Sequence, residues 1–121
     1  MFRVDVVWEF VRAAVPVHVL HHAAEEEISG AWMAQELARH GYVISPGTLY
    51  PLLHRLEGAG LVRSRQVTSG GRVRRMYSAT DAGRAELARL RAAVSELAGE
   101  VTADSGRDGR PGVRAGAGEA R

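Results

Sequence analysis

Residues 45–56 read SPGTLYPLLHRL and hold the pattern that decides the fold. Ser45 followed by Pro46 is typical of a helix N-terminus, because serine can accept from free N–H groups and proline lacks the N–H that a first turn cannot use. Leucines then recur at helical spacing, at Leu49, Leu52, Leu53 and Leu56. We therefore predict an amphipathic helix from Ser45 that ends at Gly58 or Gly60.

A second predicted helix comes shortly before this one. Ser29 offers a cap for a helix over 31–40, and Gly41 ends it. Only the residues 41–44 separate the two helices, and two short helices with such a tight connection form a helix-turn-helix pattern. Pro51 lies inside the second helix, so that helix either starts later or bends there.

Two stretches that favour strands follow the helix pair, at 61–68 and 72–79. Ser69-Gly70-Gly71 lies between them, and glycines allow the positive φ angles that a tight hairpin turn requires. The sequence therefore predicts a β-hairpin directly after the helix-turn-helix, which is the wing of a winged helix.

The flanking segments are also predicted to be helical. Residues 2–24 are mostly apolar with helical periodicity, and Pro16 either kinks this helix or opens a second one. Thr80 caps a last helix, in which apolar residues recur at steps of three and four: Leu87, Leu90, Val94, Leu97 and Val101. Because this spacing is that of a coiled-coil seam, we expect this helix to pair with a partner.

Beyond Val101 the chain consists largely of Gly, Arg, Asp and Ala without apolar periodicity. Such a segment cannot bury enough surface to offset the entropy lost on ordering. We therefore expect one domain at 1–102 and a disordered tail at 103–121.

The composition excludes several classes of protein. The chain has no cysteine, which removes disulfides, thiolate nucleophiles and sulfur-ligated zinc. It lacks the roughly 18 consecutive apolar residues of a membrane span and the basic-then-apolar order of a signal peptide, so we expect a cytoplasmic protein with no membrane partner. No phosphate loop, carboxylate pair or nucleophile–base set stands out, so we expect no enzyme activity and no cofactor.

The charge is concentrated in the middle of the chain. Residues 29–91 carry ten arginines against four acids, a net charge of +6, whereas 1–28 and 92–121 carry −3 and −1. A positive segment between acidic flanks is the footprint expected of a face that meets nucleic acid. All 16 basic residues are arginine, which suits phosphate and guanine, although a genome rich in G and C would also replace lysine throughout.

The face of the 45–56 helix opposite its leucines is the candidate contact surface. At 100° per residue, this face and its flanks hold Gly47, Thr48, Tyr50, Pro51, His54 and Arg55. Gly47 allows a close approach at the positive helix end, and Tyr50, His54 and Arg55 can donate to phosphates or base edges. The alternative is an ordinary solvent-facing amphipathic helix.

The predicted hairpin places Arg72, Arg74 and Arg75 at and just after the turn that Gly71 completes. From there they can straddle a phosphate backbone or enter a minor groove. Arg72 and Arg74 share one strand face, and Arg75 points to the other. Alternatively, these arginines only protect an exposed edge strand from aggregation.

Residues 47–57, GTLYPLLHRLE, followed by Gly60-Leu61-Val62, resemble the signature of the PadR family of bacterial transcriptional regulators. The similarity continues through 72–77 and 80–84 and covers about 28–100. It implies a homodimer held by the first and last helices, with each recognition helix in a major groove of a palindromic operator and repression relieved by a small ligand. The family's DNA-contacting positions correspond to Ser45, Thr48, Tyr50, Arg72 and Arg74.

The sequence thus predicts a mainly α fold with a small β-hairpin, namely a winged helix-turn-helix with N- and C-terminal dimerisation helices. The predicted function is that of a ligand-responsive repressor, which binds double-stranded operator DNA in a sequence-specific manner. Its single short C-terminal helix resembles that of the family's small members. The predicted DNA contacts are Ser45, Pro46, Gly47, Thr48, Tyr50, His54, Arg55, Gly71, Arg72, Arg74 and Arg75.

A small-molecule effector site is harder to place in the sequence. The aromatic residues Trp8, Phe10 and Trp32 could line a cavity at the dimer interface, although core or interface packing is the other use of such side chains.

Three histidines of the N-terminal helix open a further alternative. His18 and His21 share a helix face, His22 is adjacent, and Glu25 or Glu26 could complete a metal site. Ordinary helix histidines fit the same pattern, so no metal is assigned. The alternatives are therefore a metal-responsive regulator, or a helical protein–protein adaptor that pairs through the 87–101 seam without binding DNA.

Overall fold

The computed structural model describes residues 4–103, so residues 104–121 of the predicted tail lie outside it. The elements in chain order are α1 (Val6–Glu25), β1 (Ile28–Ser29), α2 (Gly30–Arg39), α3 (Pro46–Gly58), β2 (Val62–Ser69), β3 (Arg72–Ala79) and α4 (Asp81–Val101). This confirms the predicted fold class. The chain divides into two compact units after Leu90, and the single domain expected at 1–102 stays a prediction.

The helix α1 is continuous through Pro16, so no second helix opens there. Its first turn is capped by Asp5, whose carboxylate accepts a hydrogen bond of 2.9 Å from the Trp8 N–H. The second half of α1 packs into the core through Val15, Val19, Leu20 and Ala23, whereas Val6, Val7, Trp8 and Phe10 in its first two turns are exposed.

The helix pair α2 and α3 confirms the predicted helix-turn-helix. α3 begins at Pro46 and runs through Pro51, so the later start does not occur. Its four leucines, Leu49, Leu52, Leu53 and Leu56, are all buried, which turns the opposite face of α3 outward.

The predicted hairpin is confirmed, and it belongs to a three-stranded antiparallel sheet with the order β1-β3-β2. Ser69 pairs with Arg72 across the turn, and Val62 pairs with Ala79 at the open end. The sequence did not predict β1, because two residues are too short to show an alternating pattern. Ile28 pairs with Tyr77, which joins α1 and α2 to the wing strands.

The helix α4 starts on a close backbone contact with the loop before β2. Thr80 caps it by accepting from the Gly83 N–H at 3.0 Å, as predicted, and also donates to the Gly60 carbonyl at 2.6 Å. A Cβ at Gly83 would lie only 1.9 Å from the Leu61 carbonyl oxygen, so only glycine fits. None of the helices in the described part of the chain is long and apolar enough to cross a bilayer.

Candidate nucleic-acid interface

The first turn of α3 is open to solvent. Ser45 occupies the cap position as predicted, but its side chain makes no cap hydrogen bond and donates instead to the Thr48 hydroxyl at 3.3 Å. The Thr48 and Leu49 N–H groups both bond to the Ser45 carbonyl, and no hydrogen bond among the described residues occupies the Gly47 N–H. An outside acceptor can therefore reach this N–H at the positive end of the helix.

Gly47 is not required by its own chain. A Cβ there would meet only the Ser45 hydroxyl, at an ordinary contact distance of 3.8 Å. The absence of a side chain keeps the outer surface of this turn low, which suits a flat or convex partner that comes close to the backbone.

The outward face of α3 carries the predicted contact residues and no acid. Pro46, Gly47, Thr48, Tyr50, His54 and Arg55 are all exposed. No aspartate or glutamate occurs between Glu36 and Glu57 in the sequence. The surface is thus compatible with a polyanion, because nothing on this stretch repels phosphate.

Tyr50 is less free than the sequence suggested. Its ring lies against Gly30, where a Cβ would be 2.5 Å from Tyr50 Cε1 and 2.7 Å from the hydroxyl oxygen. The Tyr50 ring therefore lies between α3 and the first turn of α2. The residue nevertheless remains 41% exposed to solvent. Sequence reasoning missed this role of Gly30, for which no local signal exists.

The wing turn has the geometry that the two glycines predicted. Gly70 and Gly71 have φ angles of 59° and 78°, the left-handed values of a type I′ two-residue turn. Gly71 therefore has a backbone role in the wing. Arg72 and Arg74 are exposed on the strand that leaves this turn.

Arg75 differs from Arg72 and Arg74 because it takes part in a hydrogen-bond network that connects the wing to α3. Its guanidinium donates to the Ser64 hydroxyl at 3.0 Å, and the Ser64 hydroxyl and N–H donate to the Glu57 carboxylate at 2.8 and 3.1 Å. Arg75 thus bonds to the residue that links the wing to α3, and its contact with DNA stays a prediction.

A second polar link ties the wing to the segment before β1, and the sequence did not reveal it. Arg65 donates two hydrogen bonds of 2.6 and 2.7 Å to the Glu27 carboxylate. The guanidinium lowers the pKa of Glu27 through these hydrogen bonds. Glu27 thereby links the segment before β1 to β2.

The three aromatic residues predicted for an effector site do not come together within the chain. Trp32 lines a shallow cavity of about 200 Å³ whose other walls are Glu26, Glu27, Ile28, Ser29, Arg74 and Met76. Trp8 and Phe10 do not line it and are exposed on α1. A cavity shared between two chains stays a prediction.

The predicted seam residues fall into two groups. Leu87 is buried in the core of its own chain, which corrects its placement on a partner-facing seam, whereas Leu90 packs partly against that core and stays a predicted seam residue. Val94, Leu97 and Val101 are exposed. Spacing by three and four does not distinguish residues that pack in the core of their own chain from residues that face a partner. In α4 the series begins with a residue buried in the core and ends with three exposed residues.

The histidines group differently from the prediction. His18 lies close to His22 and His40, whereas His21 and Glu25 share a second group with His22. The three predicted histidines therefore divide between two groups: His21 and His22 join Glu25, as the sequence allowed, whereas His18 joins His22 and His40, which lies at the C-terminal end of α2. His18 and His40 have ring centroids 5.0 Å apart.

The chain matches several known proteins over these elements. It is 62% identical over 93 residues to the transcriptional regulator Rv3488 of Mycobacterium tuberculosis, spanning 77% of this chain and 87% of that one. A PadR family regulator from Eggerthella lenta superposes with a TM-score of 0.72 at 34% identity, covering 80% and 86% of the two chains. Bacillus subtilis PadR, solved with operator DNA, shares the fold with a TM-score of 0.59 at 22% identity, covering 64% of this chain and 45% of that one.

The family model for the PadR-like transcriptional regulators matches residues 19–89. This segment contains the whole helix-turn-helix, the wing and the start of α4. The chain belongs to the PadR-like family of transcriptional regulators, which is a family of regulators and not of enzymes.

Proposed function

We propose that this chain binds double-stranded operator DNA as a homodimer and represses transcription from the adjacent promoter. The open first turn of α3 carries the proposal, since its Gly47 N–H and bare surface have no use inside the chain. Helix N-termini of this kind bind phosphate. With the helix placed in this way, the side chains further along α3 can reach base edges in the major groove.

In this arrangement the residues divide their tasks by position. Gly47 and Thr48 lie nearest the backbone phosphates, while His54 and Arg55 point outward further along α3 and can reach phosphates or base edges. The wing then places Arg72 and Arg74 over the neighbouring phosphates or minor groove. The operator complex of Bacillus subtilis PadR supports this proposal, because the two proteins share the fold.

The DNA-binding proposal can be tested by fluorescence anisotropy. A duplex of about 30 base pairs from the region upstream of the gene is titrated with the protein, beside a scrambled duplex of the same composition. We expect affinity at least about 10³-fold higher for the first duplex, with a steep loss as salt rises. Equal affinities would contradict a sequence-specific regulator.

The wing arginines can be tested by the salt dependence of the same binding. Each phosphate contact contributes about 0.9 to the slope of log K against log salt, so Arg72→Ala and Arg74→Ala should each lower it by about that amount. Arg89→Ala is the matched control, since Arg89 pairs with Glu86 on α4 at 2.7 Å. A slope that falls equally in the control would remove the wing from the contact surface.

The homodimer is supported by two exposed apolar surfaces. One is the start of α1, with Val7, Trp8 and Phe10, and the other is the α4 row of Val94, Leu97 and Val101. Light scattering after size exclusion should give twice the chain mass. Leu97→Asp should give a monomer with unchanged helicity, whereas Val43→Asp, at a residue 88% exposed in the loop before α3, should leave the dimer intact.

Ligand response is the remaining part of the proposal. The cavity beside Trp32 includes Arg74 in its wall, so a small molecule bound there would touch a wing arginine directly.

Repression can be tested with a promoter reporter in the cytoplasm of a host cell. The reporter signal should rise when the gene is deleted and fall when it is restored. Lower signal in the deletion strain would show an activator.

A further inference from the structure

We propose that His18, His22 and His40 form a binding site for a divalent transition-metal ion of the zinc class, with the Glu36 carboxylate beside it. This site goes beyond the proposed function and does not depend on DNA binding.

The geometry brings together three nitrogen donors from two helices. His18 and His22 lie one turn apart on the same face of α1, and His40 is the C-terminal cap residue of α2. One donor atom from each residue lies within 4.8 Å of the other two. Tetrahedral zinc with bonds of about 2.0–2.1 Å needs donors about 3.3 Å apart, so the rings must close by at most about 1.5 Å. His40 is exposed and can supply this movement by rotation.

The electrostatics of the cluster favour a cation. Glu36 Oε2 lies 3.6 Å from His22 Nε2 and 3.2 Å from His40 Nε2, and the Glu36 side chain is only 10% exposed. Arg39 donates two hydrogen bonds to the same carboxylate, at 3.1 and 2.8 Å, which hold it in place beside the rings. Although Arg39 offsets part of its charge, this carboxylate is an anionic neighbour for an ion bound to the imidazoles.

The chemistry of the donors also indicates which ions would bind. Imidazole donors select zinc, nickel or copper over magnesium and calcium, which defines the class of ion.

A competing group of His21, His22 and Glu25 shares one member with this site, so the two cannot be filled together in the same way. Its three members lie on a single helix, and its carboxylate is 60% exposed and therefore well solvated. The group with His40 offers three nitrogens and a largely buried compensating charge, which is why we assign the ion to it.

Calorimetry with zinc chloride on the full chain tests the assignment in a non-chelating buffer. We expect one zinc per chain for the unmodified protein and for His21→Ala, and a loss of affinity of at least about 10-fold for His40→Ala. Absence of binding heat in the unmodified protein would overturn the proposal. Loss of binding in His21→Ala with retention in His40→Ala would overturn it in favour of the other group.

A second readout guards against a variant that merely unfolds. Cobalt(II), titrated in place of zinc, should show the intense visible absorption of a tetrahedral nitrogen-rich site in the unmodified protein and in His21→Ala. The conservative variant His18→Asn should retain helicity by circular dichroism and lose this absorption. A weak spectrum like that of aquated cobalt in the unmodified protein would refute the site.

Discussion

The first turns of α2 and α3 start from the same residue type in the same conformation, with Ser29 at φ −93°, ψ 160° and Ser45 at φ −75°, ψ 155°. In α2 the serine hydroxyl accepts from the Trp32 N–H at 3.0 Å, and the Tyr50 ring covers Gly30. In α3 the serine makes no such bond, and Gly47 faces solvent. The first turn of α4 resembles α2, because Thr80 caps it and Leu61 covers Gly83.

The difference separates a structural helix start from one available to a partner. Where the chain satisfies its own N–H groups and packs against its own glycine, substitution should cost stability. Where neither the N–H groups nor the glycine has a partner within the chain, substitution should lower the affinity for DNA and leave the fold unchanged. Four experiments test this division.

Gly83→Ala should have the largest effect. A methyl group there would meet the Leu61 carbonyl at 1.9 Å, and backbone cannot yield as a side chain does, so we expect a loss of about 3 kcal/mol in unfolding free energy. Urea denaturation followed by circular dichroism measures it. Gly99→Ala on the same helix, where a Cβ has no neighbour within 4 Å, is the control and should be neutral or slightly stabilising.

Gly30→Ala should cost about 2 kcal/mol, because its Cβ would displace the Tyr50 ring. Tyr50→Ala should remove most of that extra cost, since the clash disappears with the ring. A double-mutant cycle on thermal unfolding measures this coupling. Strictly additive effects would show that the two residues do not determine each other's position.

Gly47→Ala should separate binding from stability. We expect operator affinity to fall about tenfold, while the unfolding free energy stays level or rises by up to about 1 kcal/mol, because alanine favours the helix and fits the space. Anisotropy and urea denaturation on the same preparation give both numbers. Unaltered affinity would mean that the open turn is not the contact surface.

Ser29→Ala and Ser45→Ala should differ in unfolding free energy by the contribution of one capping hydrogen bond. Losing the Ser29 hydroxyl removes a hydrogen bond to the α2 backbone and should cost about 1 kcal/mol, whereas losing the Ser45 hydroxyl should change stability by only a few tenths. Thermal melts of the two variants side by side decide it. Equal losses would indicate that both turns are closed in solution.

The comparison also shows which parts of the fold were predictable. Helix starts, the leucine face of α3 and the Gly70-Gly71 turn depend on neighbours in sequence, so local pattern was enough to place them. The covering of Gly30 by Tyr50 and of Gly83 by Leu61 joins residues about 20 positions apart, and nothing local distinguishes these glycines from Gly47.

The candidate sites follow the same rule. The exposed arginines of the wing could be foreseen from strand alternation, but the hydrogen bond from Arg75 to Ser64, which in turn bonds to Glu57, could not. His40 joins His18 and His22 only because α2 packs on α1. Leu87 fitted a seam by spacing, yet spacing says nothing about which apolar surface a side chain meets.

The two-residue turn at Gly70-Gly71 limits how the length of this hairpin can change in evolution. Since successive side chains alternate between faces, inserting one residue into a strand would exchange the directions of Arg74 and Arg75 and break the link to Ser64. Changes that preserve the arginine directions and the link to Ser64 must add or remove two residues in each strand. Each such change moves the tip of the hairpin by about 6–7 Å. Relatives with longer or shorter hairpins should therefore differ by even numbers of residues per strand.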